Sequence, residues 1–335
     1  MYVHLVRGSP GPLTLFDAGL PHPMTQQALR DELAVLGLTV RNLEQIVYTH
    51  SHIDHMGGGF IISGETDWPR HLAFHGCVGL CENFEDYNRK TSSWKTLISH
   101  LNYVPAFRDR IGQFIPMDNA AREKVFQGAL SETAEVAYHD FAPGGAPIRF
   151  ARGLREGDQV EAGPYRWKVV EAPGHNPHHV AFLEEEGRVS VTGDLILDHG
   201  TPIMRSMGDD VALYLVSLAR LAGDSLGIVL PSHGPLFLQG DAALDRIRTQ
   251  RETLLDWVWH ALAGRSQRLV DLSMAALSAG AAGAKANPIL LLGVLESALH
   301  GWCERGIASF DEKSGFFGIT TGVATSRRQD AGAAA

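Results

Sequence analysis

The segment Thr49-His50-Ser51-His52-Ile53-Asp54-His55 places three histidines and an aspartate within six residues, in a chain that has 16 histidines among 335 residues. Met56-Gly57-Gly58-Gly59 follows it. In an extended or tightly turned backbone His50 and His52 project to the same side, because side chains alternate with a period of two. Asp54 and His55 then reach a second position close by. Imidazole and carboxylate are the ligands that zinc and similar divalent cations take. The glycines are expected to let the backbone turn sharply just past these ligands.

Three later motifs repeat the theme. Pro173-Gly174-His175 follows the run Trp167-Lys168-Val169-Val170, Gly193-Asp194 follows Arg188 to Thr192, and Ser232-His233-Gly234-Pro235 follows Gly227 to Leu230. Each sets one His or Asp just past a short strand-like run, as happens when a site is assembled from loops on one edge of a β scaffold. The ordered set, H-x-H-x-D-H and then His, Asp and His, resembles the metallo-β-lactamase-fold hydrolases. The resemblance runs from about residue 3 to about residue 262. It implies an α/β fold, a four-layered αββα sandwich, with a catalytic domain over residues 1–262.

The resemblance also implies a ligand set. His50, His52 and His175 would bind one cation and Asp54, His55 and His233 a second, with Asp194 bridging, since a carboxylate can ligate both and a neutral imidazole cannot. Two divalent ions are expected, zinc foremost, with manganese or iron accepted by the same ligands. Asp54 would also be catalytic, orienting a metal-bridging hydroxide and passing on a proton. Asp17, in Asp17-Ala18-Gly19, falls where the family commonly has an aspartate beside the metals; it either supports the ligands or forms a turn. His179 falls where many members have a further histidine, and it supports the ligands or is structural. His178 matches nothing.

Composition narrows the classes. Net charge is −9, with 44% hydrophobic and 20% charged residues, ordinary for a soluble globular protein. No dense Lys/Arg tract exists, so no nucleic-acid partner is expected. The three cysteines, Cys77, Cys81 and Cys303, fit a reducing compartment rather than a disulfide framework. With no signal-like N-terminus and no run of about 18 apolar residues, a cytoplasmic protein without a membrane span is expected.

In chain order, Tyr2–Val6 and Leu13–Phe16 read as strands. Thr25–Leu36 reads as an amphipathic helix capped by Thr25 and stopped by Gly37. Leu43–Tyr48 is a strand leading into the histidine motif. Compact members of the family need roughly half the chain that separates His55 from His175 here. The excess, about residues 65–146, is helix-compatible and rich in aromatics such as Trp68, Phe84, Tyr87 and Trp94. It reads as a lid or pocket wall, as a small core of its own, or as a homodimer surface. On a helix His71/His75 and Cys77/Cys81 would be i,i+4 pairs. Their spacing matches no zinc module, and buried cysteines with surface histidines are the preferred reading.

Short strands resume at 148–150, 159–162 and 165–172 as the second half of the sandwich, followed by a hairpin of Val180–Glu184 and Val189–Thr192. Asp198, His199 and Met204 then either approach the substrate or form an ordinary loop. Asp210–Leu221 and Asp241–Leu262 read as helices. Residues 265–321 resemble the small winged-helix-like C-terminal domain of one branch of the superfamily. With few, scattered cations, a packing or pocket-closing role is preferred for it. Residues 326–335 are expected to be a disordered tail.

With every ligand position filled, the resemblance implies a metal-dependent hydrolase in which the bridging hydroxide attacks an ester-type carbonyl. No Ser or Cys nucleophile is needed. A flavo-diiron reductase would want Glu in place of His52. True β-lactamases of the family usually lack the bridging aspartate. A phosphodiesterase or nuclease shares the ligands but would want a basic clamp, and a mononuclear iron persulfide dioxygenase shares the H-x-H-x-D-H string. The aromatic-rich insertion suggests an apolar acyl group. Resemblance to thioesterases of aromatic polyketide and alkylquinolone pathways points to an acyl thioester, on CoA or a carrier protein. A lactonase of the acyl-homoserine-lactone type is the runner-up, differing only in pocket shape.

Overall fold

The computed structural model describes residues 1–83, 87, 145–198, 202, 204, 209–283 and 288–320, the last segment without the side chains of 288–290. Two five-stranded sheets form the centre. The first holds, in spatial order, β1 (His4–Val6), β2 (Thr14–Phe16), β3 (Gln45–Val47), β4 (Arg70–Phe74) and β5 (Phe150–Leu154). β1 and β2 are antiparallel and the others run parallel from β2. The second holds β6 (Gln159–Ala162), β7 (Tyr165–Glu171), β8 (Val180–Glu184) and β9 (Val189–Gly193) as an antiparallel meander, closed by β10 (Ile228–Pro231) parallel to β9.

The period of two along each strand sorts side chains between layers. Phe16, Val47 and Leu72 point between the sheets and meet Trp167, Val169, Phe182 and Val191. The Phe16 ring lies 5.3 Å from Trp167 and 5.1 Å from Phe182. Their neighbours Leu15 and Ile46 point outward, against α1 (Pro23–Val35) and α2 (Ile53–Glu65) through Leu29, Leu33, Met56 and Phe60. On the far side Val170 and Leu183 meet α3 (Val211–Leu221) and α4 (Gly240–Gly264) through Leu215, Leu218, Leu244 and Ile247. Each such side chain, fully buried, contributes about 1.5–3 kcal/mol. The result is the expected αββα order of layers.

Several local expectations are corrected. The cap of α1 is His22, not Thr25: its Nδ1 accepts from Met24 N at 3.2 Å, and Pro23 occupies the first turn, where its missing N–H costs nothing. Residues 65–83 are not part of a helical insertion: Arg70–Phe74 forms β4, inside the first sheet, and His75–Leu80 is a 3-10 turn. The remainder of the expected lid, 84–144, lies outside the described residues apart from the buried Tyr87. β5 belongs to the first sheet, beside β4, and not to the second half of the sandwich.

Gly57-Gly58-Gly59 is a further correction. These residues do not turn the chain; they lie within α2. A Cβ on Gly58 would fall 2.1 Å from Ala18 O, and one on Gly59 would fall 2.1 Å from Tyr48 Oη. A helical glycine costs about 1 kcal/mol relative to alanine, and here that loss permits close approach of helix to strand ends. Gly58 N donates to Gly19 O at 2.7 Å and Ala18 N donates to His55 O at 2.8 Å. Gly58→Ala is therefore expected to destabilise the protein by about 1–3 kcal/mol. Gly79→Ala, where a Cβ would meet nothing within 4 Å, is the control and should stay within about 1 kcal/mol of wild type. Denaturant unfolding of the two variants checks this.

Beyond α4, β11 (Gln267–Arg268), α5 (Leu269–Ser278), α6 (Pro288–Glu304), β12 (Ala308–Asp311) and β13 (Phe316–Ile319) form two helices and a three-stranded sheet of order β11-β13-β12. Leu272, Leu295, Trp302 and Phe317 share one apolar cluster with Leu254, Leu255 and Trp259 of α4. The segment is packed against the sandwich's outer helix layer. The expected tail, 326–335, lies outside the described residues. No helix among the described residues is long and apolar enough to cross a membrane.

Candidate metal centre

The carboxyl ends of the strands gather the motifs. β3 ends at Val47 and leads through Thr49 and His50 to His52, the N-cap of α2. Asp54 and His55 occupy the first turn of that helix. His175 follows β7, Asp194 directly follows β9, and His233 follows β10. The ligand atoms of His50, His52, His175 and Asp194 lie within 4.8 Å of one another, as do those of Asp54, His55 and His233. All seven expected ligand residues are thus brought together.

Asp194 connects the two groups. Its Oδ2 is 3.4 Å from His175 Nε2 in the first group. It is 3.4 Å from His55 Nε2 and 3.5 Å from His233 Nε2 in the second. Asp54 Oδ2 lies 3.0 Å from His233 Nε2 and 3.5 Å from His55 Nε2. His50 Nε2 and His52 Nδ1 are 2.9 Å apart, converging as the period of two requires.

This donor set fits two cations. His55 Nε2 and Asp194 Oδ1 are buried without a hydrogen-bond partner among the described residues, at about 1–3 kcal/mol each unless a ligand satisfies them. Burial, and then the neighbouring histidines, hold His50 well below the usual imidazole pKa, so its lone pair is free for a cation. Burial disfavours charge on Asp54 and Asp194, but His55 and the other imidazoles outweigh it and hold both carboxyls well below their ordinary value. Burial likewise opposes charge on His55, and Asp54, Asp194 and Asp17 overcome it, raising its pKa well above the ordinary one. A cation must displace that proton, so metal affinity is expected to fall as pH falls.

Asp17 sits in a turn and is hydrogen-bonded into this cluster. Its φ is 62°, in the left-handed region, which Asp tolerates better than most residues. Its Oδ1 accepts from Thr49 N at 2.8 Å, and its Oδ2 lies 2.9 Å from His55 Nδ1 and accepts from Ser232 Oγ at 3.1 Å. Thr49 Oγ1 donates to Asp17 Oδ2 at 2.9 Å and sits 3.0 Å from His50 Nδ1. Protons on Nδ1 of His50 and His55 therefore face this network, leaving each Nε2 for a cation. His179 accepts from Asp194 N at 3.3 Å through Nε2 and stacks on His50 at 4.8 Å. Burial and His175 keep it neutral. It fixes the backbone of Asp194.

Sequence reasoning missed Thr49, Ser232, Ser51 and Asn176. Asn176 Nδ2 donates to Ser51 Oγ at 3.1 Å, tying the loop of His175 to that of His50 and His52. Tyr87 Oη donates to Ser51 O at 2.8 Å. The available signal was an Asn between His175 and Pro177, a residue type that bonds nearby backbone at turns; it accepts from His178 N at 2.9 Å. Met204 is buried in the apolar cluster of α3 and α4, and His199 lies outside the described residues. His233 and Asp54 are 40% and 27% exposed at the side chain, whereas His50, His52, His55 and His175 are buried. The centre opens on the His233 side.

Cys77 and Cys81 are buried as expected, and burial pushes the Cys81 thiol up to about 12. His71, expected at the surface, is buried on β4, with Nδ1 2.8 Å from Tyr48 Oη. None of these joins a group of metal-ligating atoms among the described residues. Burial lowers His71 from 6.5 to about 4. The unfolded chain therefore takes up a proton first as pH falls. The stability is complete above pH 6.5 and is lost as pH falls through the folded value. By linkage the loss reaches about 3 kcal/mol by about pH 4. Urea unfolding at pH 7 and pH 4 should show a smaller pH difference for His71→Gln than for wild type, by roughly that amount.

The metallo-beta-lactamase superfamily pattern matches residues 2–233, and the chain belongs to that family. A probable metallo-hydrolase of Bacillus subtilis (strain 168) is 27% identical over 252 residues, 73% of this chain and 70% of that protein. An atrochrysone carboxyl ACP thioesterase of Paecilomyces divaricatus is 32% identical over 89 residues, 27% of this chain and 27% of the relative. This chain therefore spans only about a quarter of that thioesterase's length. Among solved structures, a metallo-beta-lactamase family protein from Thermus thermophilus superposes with a TM-score of 0.65 at 21% identity, covering 95% of this chain and 93% of that one. That likeness is one of fold.

Proposed function

We propose that the chain is a metal-dependent hydrolase that cleaves an acyl thioester, carried on CoA or a carrier protein, with an apolar acyl group. The observation that carries the hydrolase reading is the position of Asp194 Oδ2, within 3.5 Å of imidazoles from both ligand groups. His50, His52 and His175 would hold one cation and Asp54, His55 and His233 the other, with Asp194 available to both. Zinc is the first choice, with manganese or iron accepted by the same ligands. When bound, the cations supply the Lewis acidity that ionises water near neutral pH and polarises a carbonyl.

The protein's own groups do the rest. Asp54, on the open side, orients the attacking water and accepts its proton. Hydroxide adds to the acyl carbon, the C–S bond breaks, and Asp54 returns the proton to the leaving sulfur, giving an acid and a thiol. Asp17 and Thr49 hold His55 and His50 in the tautomers this requires. The thioester choice rests on the thioesterase relative, and the apolar acyl group rests on the aromatic composition of residues 84–144.

The test is thiol release from a chain-length series of acyl-CoA and aryl-CoA thioesters by metal-loaded protein beside His52→Ala. The expected result is metal-dependent release that peaks at one acyl type. Release no greater than the variant's background, with turnover of acyl-homoserine lactones, would move the assignment to a lactonase.

A further inference from the structure

Directly after Asp194 the chain is suspended from the two helices behind it. Tyr214 Oη of α3 donates to Leu195 O at 2.7 Å. Arg246 Nη2 of α4 donates to Leu197 O at 2.9 Å and to Asp198 O at 2.5 Å. Arg251 Nη2, also on α4, donates to Pro202 O at 2.9 Å.

Arg251 is the unusual member. It is 5% exposed, among the apolar side chains Ile247, Leu254 and Leu255 of its own helix. Its Nε has no hydrogen-bond partner among the described residues, and no carboxylate there pairs with it. Burial lowers it to about 10, which leaves it charged at neutral pH. A buried cation without a carboxylate is costly, and an apolar side chain of similar volume is commonly neutral or stabilising in such a place. Core packing therefore does not account for an arginine here. What its head group supplies is a directed donor to a carbonyl in the chain leaving Asp194.

We propose that Arg251, together with Arg246, is a positioning residue: the two hold the carbonyls of Leu197, Asp198 and Pro202, in the chain that follows Asp194, so that Asp194 presents its carboxylate to both ligand groups. The proposal rests on the metal-dependent reading of the centre. It places two α4 residues in control of metal affinity although neither is a ligand.

The test uses full-length Arg251→Met, Arg251→Lys and Arg246→Gln. Zinc affinity is read by competition with a chromophoric chelator, and the thermal midpoint is read on metal-free protein. The methionine variant is expected to hold zinc about 10-fold more weakly, with a metal-free midpoint within about 4 °C of wild type. Lysine should recover part of the affinity, and Arg246→Gln should weaken it in the same direction. Unchanged affinity in both Arg251→Met and Arg246→Gln would overturn the proposal. So would a loss of affinity matched by collapse of the metal-free midpoint and not relieved by lysine. Wild-type protein that binds no zinc, manganese or iron would instead sink the metal-dependent reading, and the proposal with it.

Discussion

Asp194→Asn is expected to lose one of two bound metal equivalents and to cut thioester turnover by about 10³-fold, about 4 kcal/mol of transition-state stabilisation. The expectation follows from geometry. Among the seven proposed ligands, Asp194 alone has one oxygen within 3.5 Å of imidazoles from both groups. Asparagine keeps the volume but removes the charge, and a neutral amide oxygen is a poor bridge between two cations. The variant should still fold. Gly193 O still receives Ser232 N at 2.9 Å, and the backbone N–H of residue 194 still reaches His179. His55 also loses one of the three carboxylates that raise its pKa, so its pKa should fall in the metal-free variant. Metal counting by mass spectrometry and a histidine NMR titration check the two halves.

Asp17 gives the second large effect, and two substitutions separate its roles. Asp17→Asn tolerates the left-handed φ, but its amide cannot accept from Thr49 N, Thr49 Oγ1, Ser232 Oγ and His55 Nδ1 as a carboxylate does. Metal affinity is expected to fall about 10- to 100-fold, the range for partners that orient a ligand, with a modest change in stability. Asp17→Ala also leaves those buried donors unpaired and puts a Cβ residue without a polar side chain at a φ of 62°. A stability loss of about 3 kcal/mol or more is expected. Zinc competition and denaturant unfolding of both variants give the comparison. Equal stability losses with unchanged affinity would show that Asp17 serves the turn alone.

The seven residues that the structure gathers into one cluster were legible because each belongs to a short motif at the end of a short apolar run. The contacts behind them were not, because they join distant parts of the chain. Ser232 meets Asp17 across 215 positions and Asn176 meets Ser51 across 125. Ser, Thr and Asn look alike whether they orient a ligand or face water. The glycine run was misread for the same reason: what forbids a side chain there is Ala18 O and Tyr48 Oη, from other elements. β4 was missed because Arg70–Phe74 is short and carries a charged residue and His71 in place of an apolar alternation. Its strand character comes from its position between β3 and β5. The layer order, by contrast, came with the family resemblance that the four motifs carry.

Whether two cations held by these seven residues hydrolyse a thioester is tested most directly by titrating metal-free protein with zinc. Thiol release from the best acyl-CoA substrate is recorded against the equivalents bound. Two equivalents per chain are expected, with full turnover requiring the second, and no turnover in the presence of excess chelator. Full turnover by chelated protein, or none at two bound equivalents across the acyl-CoA series, would contradict the assignment.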